Sequence, residues 1–289
     1  MRSPARALIL GGTGMLGRAL VAEARSRGLA ALALSREQAD IADAGRLLYW
    51  MDAFRPDLMV NCAAYTKVDA CEGEGRETAF AVNGAAVANV AAAAEKAGAR
   101  LVHVSTDYVF DGTGREPYRE DAPTNPLSVY GQSKLEGERQ ALRHGDALVV
   151  RTSWLFGPGG PNFVATMTGL IDRGQLPLRV VRDQEGCPTY TPFLARAILD
   201  LAPLDLTGVV HYRNREPVSW YAFAVEIARL WAGKAEVVPV ATSEFPRPAP
   251  RPAWSVLDVN RFEEAAGRHV EPWGWGLAEY LAQMRKGRK

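Results

Sequence analysis

Tyr130 and Lys134 stand four residues apart in NPLSVYGQSKLEGE, a spacing that puts both side chains on one face of a helix. An ammonium beside a phenol favours the phenolate, drawing the hydroxyl down from its ordinary pKa of about 10. Such a group exchanges a proton with a carbonyl or alcohol oxygen near neutrality. Thr106, in HVSTDYVFDG, ends an apolar run that reads as a strand, and from the strand's carboxyl end its hydroxyl can bond the same oxygen. Y-x-x-x-K arises in many helices by chance, so a second motif is needed to give it meaning. Gly11, Gly14 and Gly17 in LILGGTGMLGRAL provide one, following directly on a strand and opening a helix. Glycine there permits a tight turn, lets a pyrophosphate approach the backbone and leaves the helix N-terminus free for negative charge. The two motifs together describe hydride transfer to or from a nicotinamide dinucleotide.

The end of the second strand reads the adenosine ribose, and an acidic residue there favours NAD(H). This chain has Ser35 and Arg36, a hydroxyl and a guanidinium that can both bond a 2′-phosphate, so NADP(H) is the favoured cofactor, with NAD(H) and a merely solvated Arg36 left open. Asp40 and Ile41 are placed to cradle the adenine, and Ala63, Ala64 and Tyr65 to line the cofactor after strand three.

These groups need a scaffold, and the chain alternates strand and helix patterns through its first half, which predicts βαβ units and a parallel sheet. Strands are predicted over 5–10, 30–34, 58–62, 101–105 and 148–151. Helices are predicted over 15–27, from the Asp43 cap through Leu47, Leu48, Met51 and Phe54, over an alanine-rich segment to Lys96, and over 130–142. After Trp154 the texture turns to glycine and proline. The fold expected is therefore a Rossmann-type doubly wound α/β sheet over residues 1–155, with later segments returning to it, and a smaller α+β substrate-binding region mainly over 156–289. That region carries predicted elements at 178–181, 193–201, 209–212, 219–231 and 277–285, and a stiff loop punctuated by Pro246, Pro248, Pro250 and Pro252.

Composition narrows the partners. A formal charge of +1 from 34 basic and 33 acidic side chains gives no bulk attraction to nucleic acid or an anionic membrane. Cys62, Cys71 and Cys187 have neither disulfide nor zinc spacing, which points to a cytoplasmic protein without a metal. Met1 to Arg6 lacks the apolar stretch of a signal peptide, and no run is long enough to span a membrane. His103 and His211 read as satisfied structural residues in strands, His144 and His269 as surface loop positions. Trp231, Trp273 and Trp275 suit either a core or a subunit contact, and Asn83 reads either as bonding the backbone of strand four or as a simple buried, satisfied polar group.

GGTGMLG, NCAAYTKVD, HVSTDYVFDG, NPLSVYGQSKLEGE and VVRTSWLFG resemble the extended short-chain dehydrogenase/reductase family, in its dTDP-4-dehydrorhamnose reductase branch. The similarity continues through DQEGCPTYTPFLA and RPAWSVLD, covering most of the chain. The resemblance implies NADPH-dependent reduction of the 4-keto group of dTDP-4-dehydro-β-L-rhamnose to dTDP-β-L-rhamnose, a precursor of cell-surface glycans. It implies that Thr106, Tyr130 and Lys134 are catalytic, that Thr106, Asp107 and Trp154 contact the nucleotide sugar, and that Gly14, Met15, Leu16, Asp40, Ile41, Ala63, Ala64, Tyr65, Tyr130 and Lys134 hold the cofactor. The substrate's diphosphate then needs cationic donors; Arg251 leads, with a solvated role as the alternative, followed by Arg179, Arg182, Arg213, Arg215 and Arg247. Some relatives share magnesium between subunits through a carboxylate after a Pro-Thr pair. Here Pro188 and Thr189 precede Tyr190, Thr191 and Pro192, so a metal-bridged dimer is not expected, while a homodimer of another kind stays open. Two further readings remain: another nucleotide-sugar reductase or epimerase of the superfamily, and a non-catalytic regulatory subunit of a methionine adenosyltransferase. Asp107 followed by Tyr108 supplies only half of a dehydratase-type carboxylate pair, and the intact Thr106, Tyr130 and Lys134 count against the regulatory role.

Overall fold

Alternate residues of the first strand face opposite ways: Ala7 and Ile9 enter one hydrophobic cluster, Leu8 and Leu10 another. A strand buried on both sides belongs to a sheet covered by helices on both faces, and the computed structural model, which describes residues 4–287, has that architecture. Residues 1–3, part of the segment read as lacking a signal peptide, and residues 288–289 lie outside the described residues.

The chain runs β1 (Arg6–Leu10), α1 (Met15–Ser26), β2 (Ala30–Leu34), α2 (Ala44–Phe54) and β3 (Leu58–Asn61). Short helices α3 (Val68–Cys71) and α4 (Arg76–Ala79) lead into a π-helical turn, Phe80–Ala85, and then α5 (Ala86–Ala97), so the alanine-rich segment is not one uninterrupted α-helix. There follow β4 (Arg100–Thr106), a 3₁₀ turn at Asp107–Val109, α6 (Val129–Ala141) and β5 (Ala147–Thr152). The Asp43 cap conforms to the sequence reading, accepting from the Arg46 N–H of α2 at 2.9 Å, and Ser128, not singled out from the sequence, caps α6 by accepting from the Gly131 N–H at 3.1 Å.

Past β5 come β6 (Leu155–Phe156), α7 (Phe163–Asp172), β7 (Leu178–Val181), β8 (Glu185–Gly186), β9 (Thr189–Tyr190), α8 (Thr191–Leu201), β10 (Gly208–His211), β11 (Val218–Ser219), α9 (Trp220–Ala232), β12 (Val237–Val240), α10 (Asn260–Ala266) and α11 (Trp273–Lys286). Two of these rejoin the first half. β10 pairs in parallel with β5, and α8 lies beside α1. The resulting six-stranded parallel sheet has the order β10-β5-β4-β3-β1-β2, reversing direction between β1 and β3, where α/β sheets open a ligand crevice at their carboxyl ends. The parallel pair β7–β12, packed against α9, forms a smaller lobe beyond that end.

Helix α6 is fastened to the sheet by a buried ion pair. Glu138 receives Arg151 of β5 through Nε at 2.9 Å and Nη2 at 2.7 Å, and the Ser105 hydroxyl of β4 donates to it at 2.5 Å. Burying such a pair contributes little net stability, but removing one member strands the other charge. His211 and His103 are buried and structural: Nδ1 of His211 meets the Tyr118 carbonyl and that of His103 meets Asn61, both at 3.1 Å. His144 departs from expectation, being buried with its ring nitrogen 3.1 Å from the Ala99 carbonyl because it closes the turn between α6 and β5. His269 is exposed, beside Glu263. Trp273 packs on Phe223, whereas Trp275 is exposed. No helix among the described residues is long and apolar enough to cross a membrane, and among them no cluster of three or more His, Cys, Asp or Glu could hold a metal.

Glu138→Gln is expected to cost about 3–5 kcal/mol of unfolding free energy in urea titration, because Arg151 stays buried without its counter-charge. A loss under about 1 kcal/mol, the range of exposed pairs, would show that this pair does not anchor α6.

Candidate active site

The glycine loop lies at the reversal between β1 and β3. Gly11 holds φ +72°, and a Cβ there would come within 2.8 Å of the Ala63 nitrogen, so only glycine fits. At Gly14 the nearest atom to such a Cβ would be 3.4 Å away, and this residue caps α1 with no side-chain bond to the helix N–H groups. The loop is closed below and open above, leaving uncapped donors to receive a phosphate. Gly11, Gly14, Arg36, Asp40, Ile41, Ala63, Ala64 and Tyr65 line one cleft of about 240 Å³, room for one part of a dinucleotide beside the glycine loop.

The remaining cofactor candidates stand differently. The Met15 side chain lies beside Asn162 and Gly160, and Leu16 is buried in the core, so neither side chain lines the cleft. Gly17 packs against the Gly11–Gly12 backbone. Ser35 engages the Gln38 N–H and Glu37 at 3.4 Å. Arg36 meets Asp40 at 3.2 Å, and Asp40 also accepts from the Ala42 N–H at 3.0 Å; with the backbone bond as the larger cause, the Asp40 carboxyl is held below its usual range.

Asn83, in the π-helical turn, does not reach strand four. Its side chain clamps the backbone of Tyr65, accepting from N at 2.7 Å and donating to O at 3.0 Å, and donates to the Ser133 hydroxyl of α6 at 3.0 Å. The extra residue that widens a π-helical turn places this amide between the cleft wall and the helix that carries Tyr130 and Lys134.

Tyr130 occupies the first turn of α6, with the Thr106 hydroxyl within hydrogen-bonding reach of the phenol. Thr106 donates to Asp107 Oδ1 at 3.0 Å. Asp107 Oδ2 is buried without any hydrogen-bond partner, an arrangement that is costly unless a ligand donor completes it. Burial pushes the Asp107 carboxyl up to about 6, against the bonds from Ser255 and Thr106.

The phenol does not behave as the sequence predicts. Burial and then the Asp107 carboxylate hold its pKa above the ordinary tyrosine value. The Lys134 ammonium instead donates to the Val104 carbonyl of β4 at 2.6 Å. Burial pushes Lys134 itself down to about 8, partly offset by Glu138 and Cys62.

On the other side of the site, Arg179, Arg247 and Arg251 line a second pocket of about 400 Å³ with Tyr108, Trp220 and Phe245. Three other arginines stay away from it: Arg213 is buried, bonding the Leu257 and Asn214 carbonyls at 2.9 and 3.1 Å, Arg182 is exposed beside β7, and Arg215 bridges to Pro272. Trp154, at φ +47°, stacks on Trp220 with centroids 3.5 Å apart and fills the space above Gly186. Tyr108, Trp220 and Phe245 were not singled out from the sequence. The adjacency of Tyr108 to Asp107 is the one local signal that pointed there, because the other two arrive from distant elements.

Residues 5–286 match the family described as RmlD substrate binding domain. The chain is 42% identical to a dTDP-4-dehydrorhamnose reductase of Streptomyces griseus, over 98% of this chain and 96% of that one. It is 40% identical to the spore coat polysaccharide biosynthesis protein SpsK of Bacillus subtilis, over 96% and 97%. The crystal structure of dTDP-4-dehydrorhamnose reductase from Bacillus anthracis, solved in complex with NADP, superposes with a TM-score of 0.91 at 36% identity, covering 98% of this chain and all of that one. A glycine cradle, a tyrosine–lysine helix and a full-length family match converge, and the chain belongs to the RmlD substrate binding domain family.

Proposed function

We propose that the chain reduces the 4-keto group of dTDP-4-dehydro-β-L-rhamnose with NADPH, giving dTDP-β-L-rhamnose. The observation that carries this reading is the Tyr130 phenol. Its ring lies edge-on to Tyr108 of the arginine-lined pocket, centroids 5.7 Å apart, and shares a hydrophobic cluster with Tyr65 of the cofactor cleft, so it stands between the two. A phenol there, protonated at neutral pH, can deliver its proton to a ketone oxygen as hydride arrives.

A bound NADPH supplies the hydride that reduces C4. As negative charge develops on O4, Tyr130 delivers its proton there and the Thr106 hydroxyl steadies the oxygen. Asp107 Oδ2 receives a sugar hydroxyl, which completes its missing bond. Lys134, pinned at the Val104 carbonyl, keeps a positive charge under the tyrosinate left behind. Ser35 and Arg36 take the 2′-phosphate, and Asp40, Ile41 and Ala63 to Tyr65 wall the adenosine half. Trp154, backed by Trp220, supports the sugar. Residues 1–155 with the returning β10 and α8 form the cofactor-binding part, and the remainder of 156–289 the substrate-binding part. Three free thiols suit the reducing cytoplasm, where we place the reaction.

Nicotinamide absorbance should fall when the protein, NADPH and the 4-ketosugar nucleotide are combined, and hold steady if any one is left out; oxidation only with a different ketosugar nucleotide would discard the named substrate. Tyr130→Phe should lower kcat by about 10²–10⁴ with NADPH affinity retained, and turnover at the parent rate would remove Tyr130 as the acid. The Lys134 ammonium, lowered to about 8, is present below that pH and lost above it. We therefore expect kcat/KM for NADPH, which reports the free enzyme, to be level near pH 7 and to fall about tenfold per unit above about pH 8. A profile flat to pH 10 would contradict the requirement for the charge.

A further inference from the structure

Asp69 lies on α3, which begins just after the cofactor-cleft residue Tyr65. Across the mouth of the site, the proline-rich loop of the C-terminal half converges on this one carboxylate. Oδ1 accepts from Arg251 Nη1 at 3.0 Å and from the Ala249 N–H at 3.3 Å, while Oδ2 stands 3.6 Å from Arg247 Nη1. Arg251 is otherwise fixed by the Ala249 carbonyl at 2.8 Å and by the Tyr108 hydroxyl, and only 20% of its side chain is exposed. Arg247 lies over the Phe245 ring. Arg179, the third cation of the pocket, has a carboxylate no nearer than Glu244 at 3.8 Å.

Three guanidinium groups facing one pocket form a polyanion site. Arginine side chains are flexible, so such a site binds well only if they are oriented beforehand. Asp69 meets that need from outside the pocket, since it is absent from the pocket wall yet holds the two arginines of the proline-rich loop, a segment without regular structure. Two carboxylates, Asp69 and Glu244, against three arginines still leave net positive charge for a ligand.

We propose that Asp69 is the positioning residue of the nucleotide sugar's diphosphate subsite: it ties Arg247 and Arg251 to the cofactor-binding half so that both face the diphosphate. This rests on the reading of the arginine-lined pocket as the nucleoside diphosphate site. Asp69 touches neither cofactor nor reacting atoms, and acts through the arginines.

The test titrates dTDP, thymidine and NADP⁺ into the full-length protein and into Asp69→Asn and Arg251→Met, with steady-state kinetics alongside. Asparagine keeps an acceptor for the Ala249 N–H and removes only the charge. In Asp69→Asn, dTDP binding should weaken on the order of tenfold, the scale of one charge-assisted bond, and KM for the sugar nucleotide should rise likewise. The affinities for thymidine and NADP⁺ and the value of kcat should stay close to the parent's. A general loosening of the fold would move all of them together, and that result would overturn the proposal. Unchanged or tighter dTDP binding in Asp69→Asn, with Arg251→Met still weakened, would overturn it too, leaving Asp69 as a bystander or a competitor for the arginines. If the unmodified protein bound dTDP no better than thymidine, or Arg251→Met had no effect, the underlying reading of the pocket would fall instead.

Discussion

One face of one helix, pressed against a sheet with its polar groups dry, is the constraint on which the site depends. Tyr130, Lys134 and Glu138 follow each other at four-residue intervals along α6, and the last two are almost fully buried. Charges removed from water must find partners or cost several kcal/mol each, and here the sheet provides them: the Val104 carbonyl for Lys134, and Ser105 with Arg151 for Glu138. Those bonds have strict directions, so α6 has one seat and the phenol at its start has one place. Glycine lets it sit so close, since a Cβ at Gly137 would collide with the Asn83 carbonyl.

The same dryness decides the proton chemistry. In this pocket burial and then the Asp107 carboxylate raise the phenol, while Lys134 is turned toward the sheet. The group is thereby kept as a proton donor, and the buried carboxylate beside it lacks one bond. Both are features of a site completed by its ligand.

What the sequence disclosed follows the reach of each interaction. The buried first strand, the Asp43 cap, the glycine loop and the Tyr130–Lys134 spacing are set by neighbours within about a turn, and all were legible. The π-helical turn was not, because nothing in an alanine-rich run marks where one residue too many enters the helix. The partner of Asn83, the burial of His144 and the sign of the Tyr130 shift depend on groups brought in from elsewhere. Distance along the chain hid the second pocket in the same way: Trp154 and Trp220, or Asp69 and Arg251, meet only after both halves have folded. Arg179 and Arg247 looked alike in sequence to Arg182 and Arg213, and only the tertiary structure separates arginines that face a ligand pocket from those that brace a backbone.

The position of β10 bears on how this architecture can change. Its hydrogen bonds cover the flank of β5, so a fragment severed after residue 155 would present a bare apolar strand, a template for aggregation. The two halves therefore cannot be traded between proteins like cassettes. New substrate preferences must arise by revising the connecting loops in place, with the sheet conserved as a single indivisible frame.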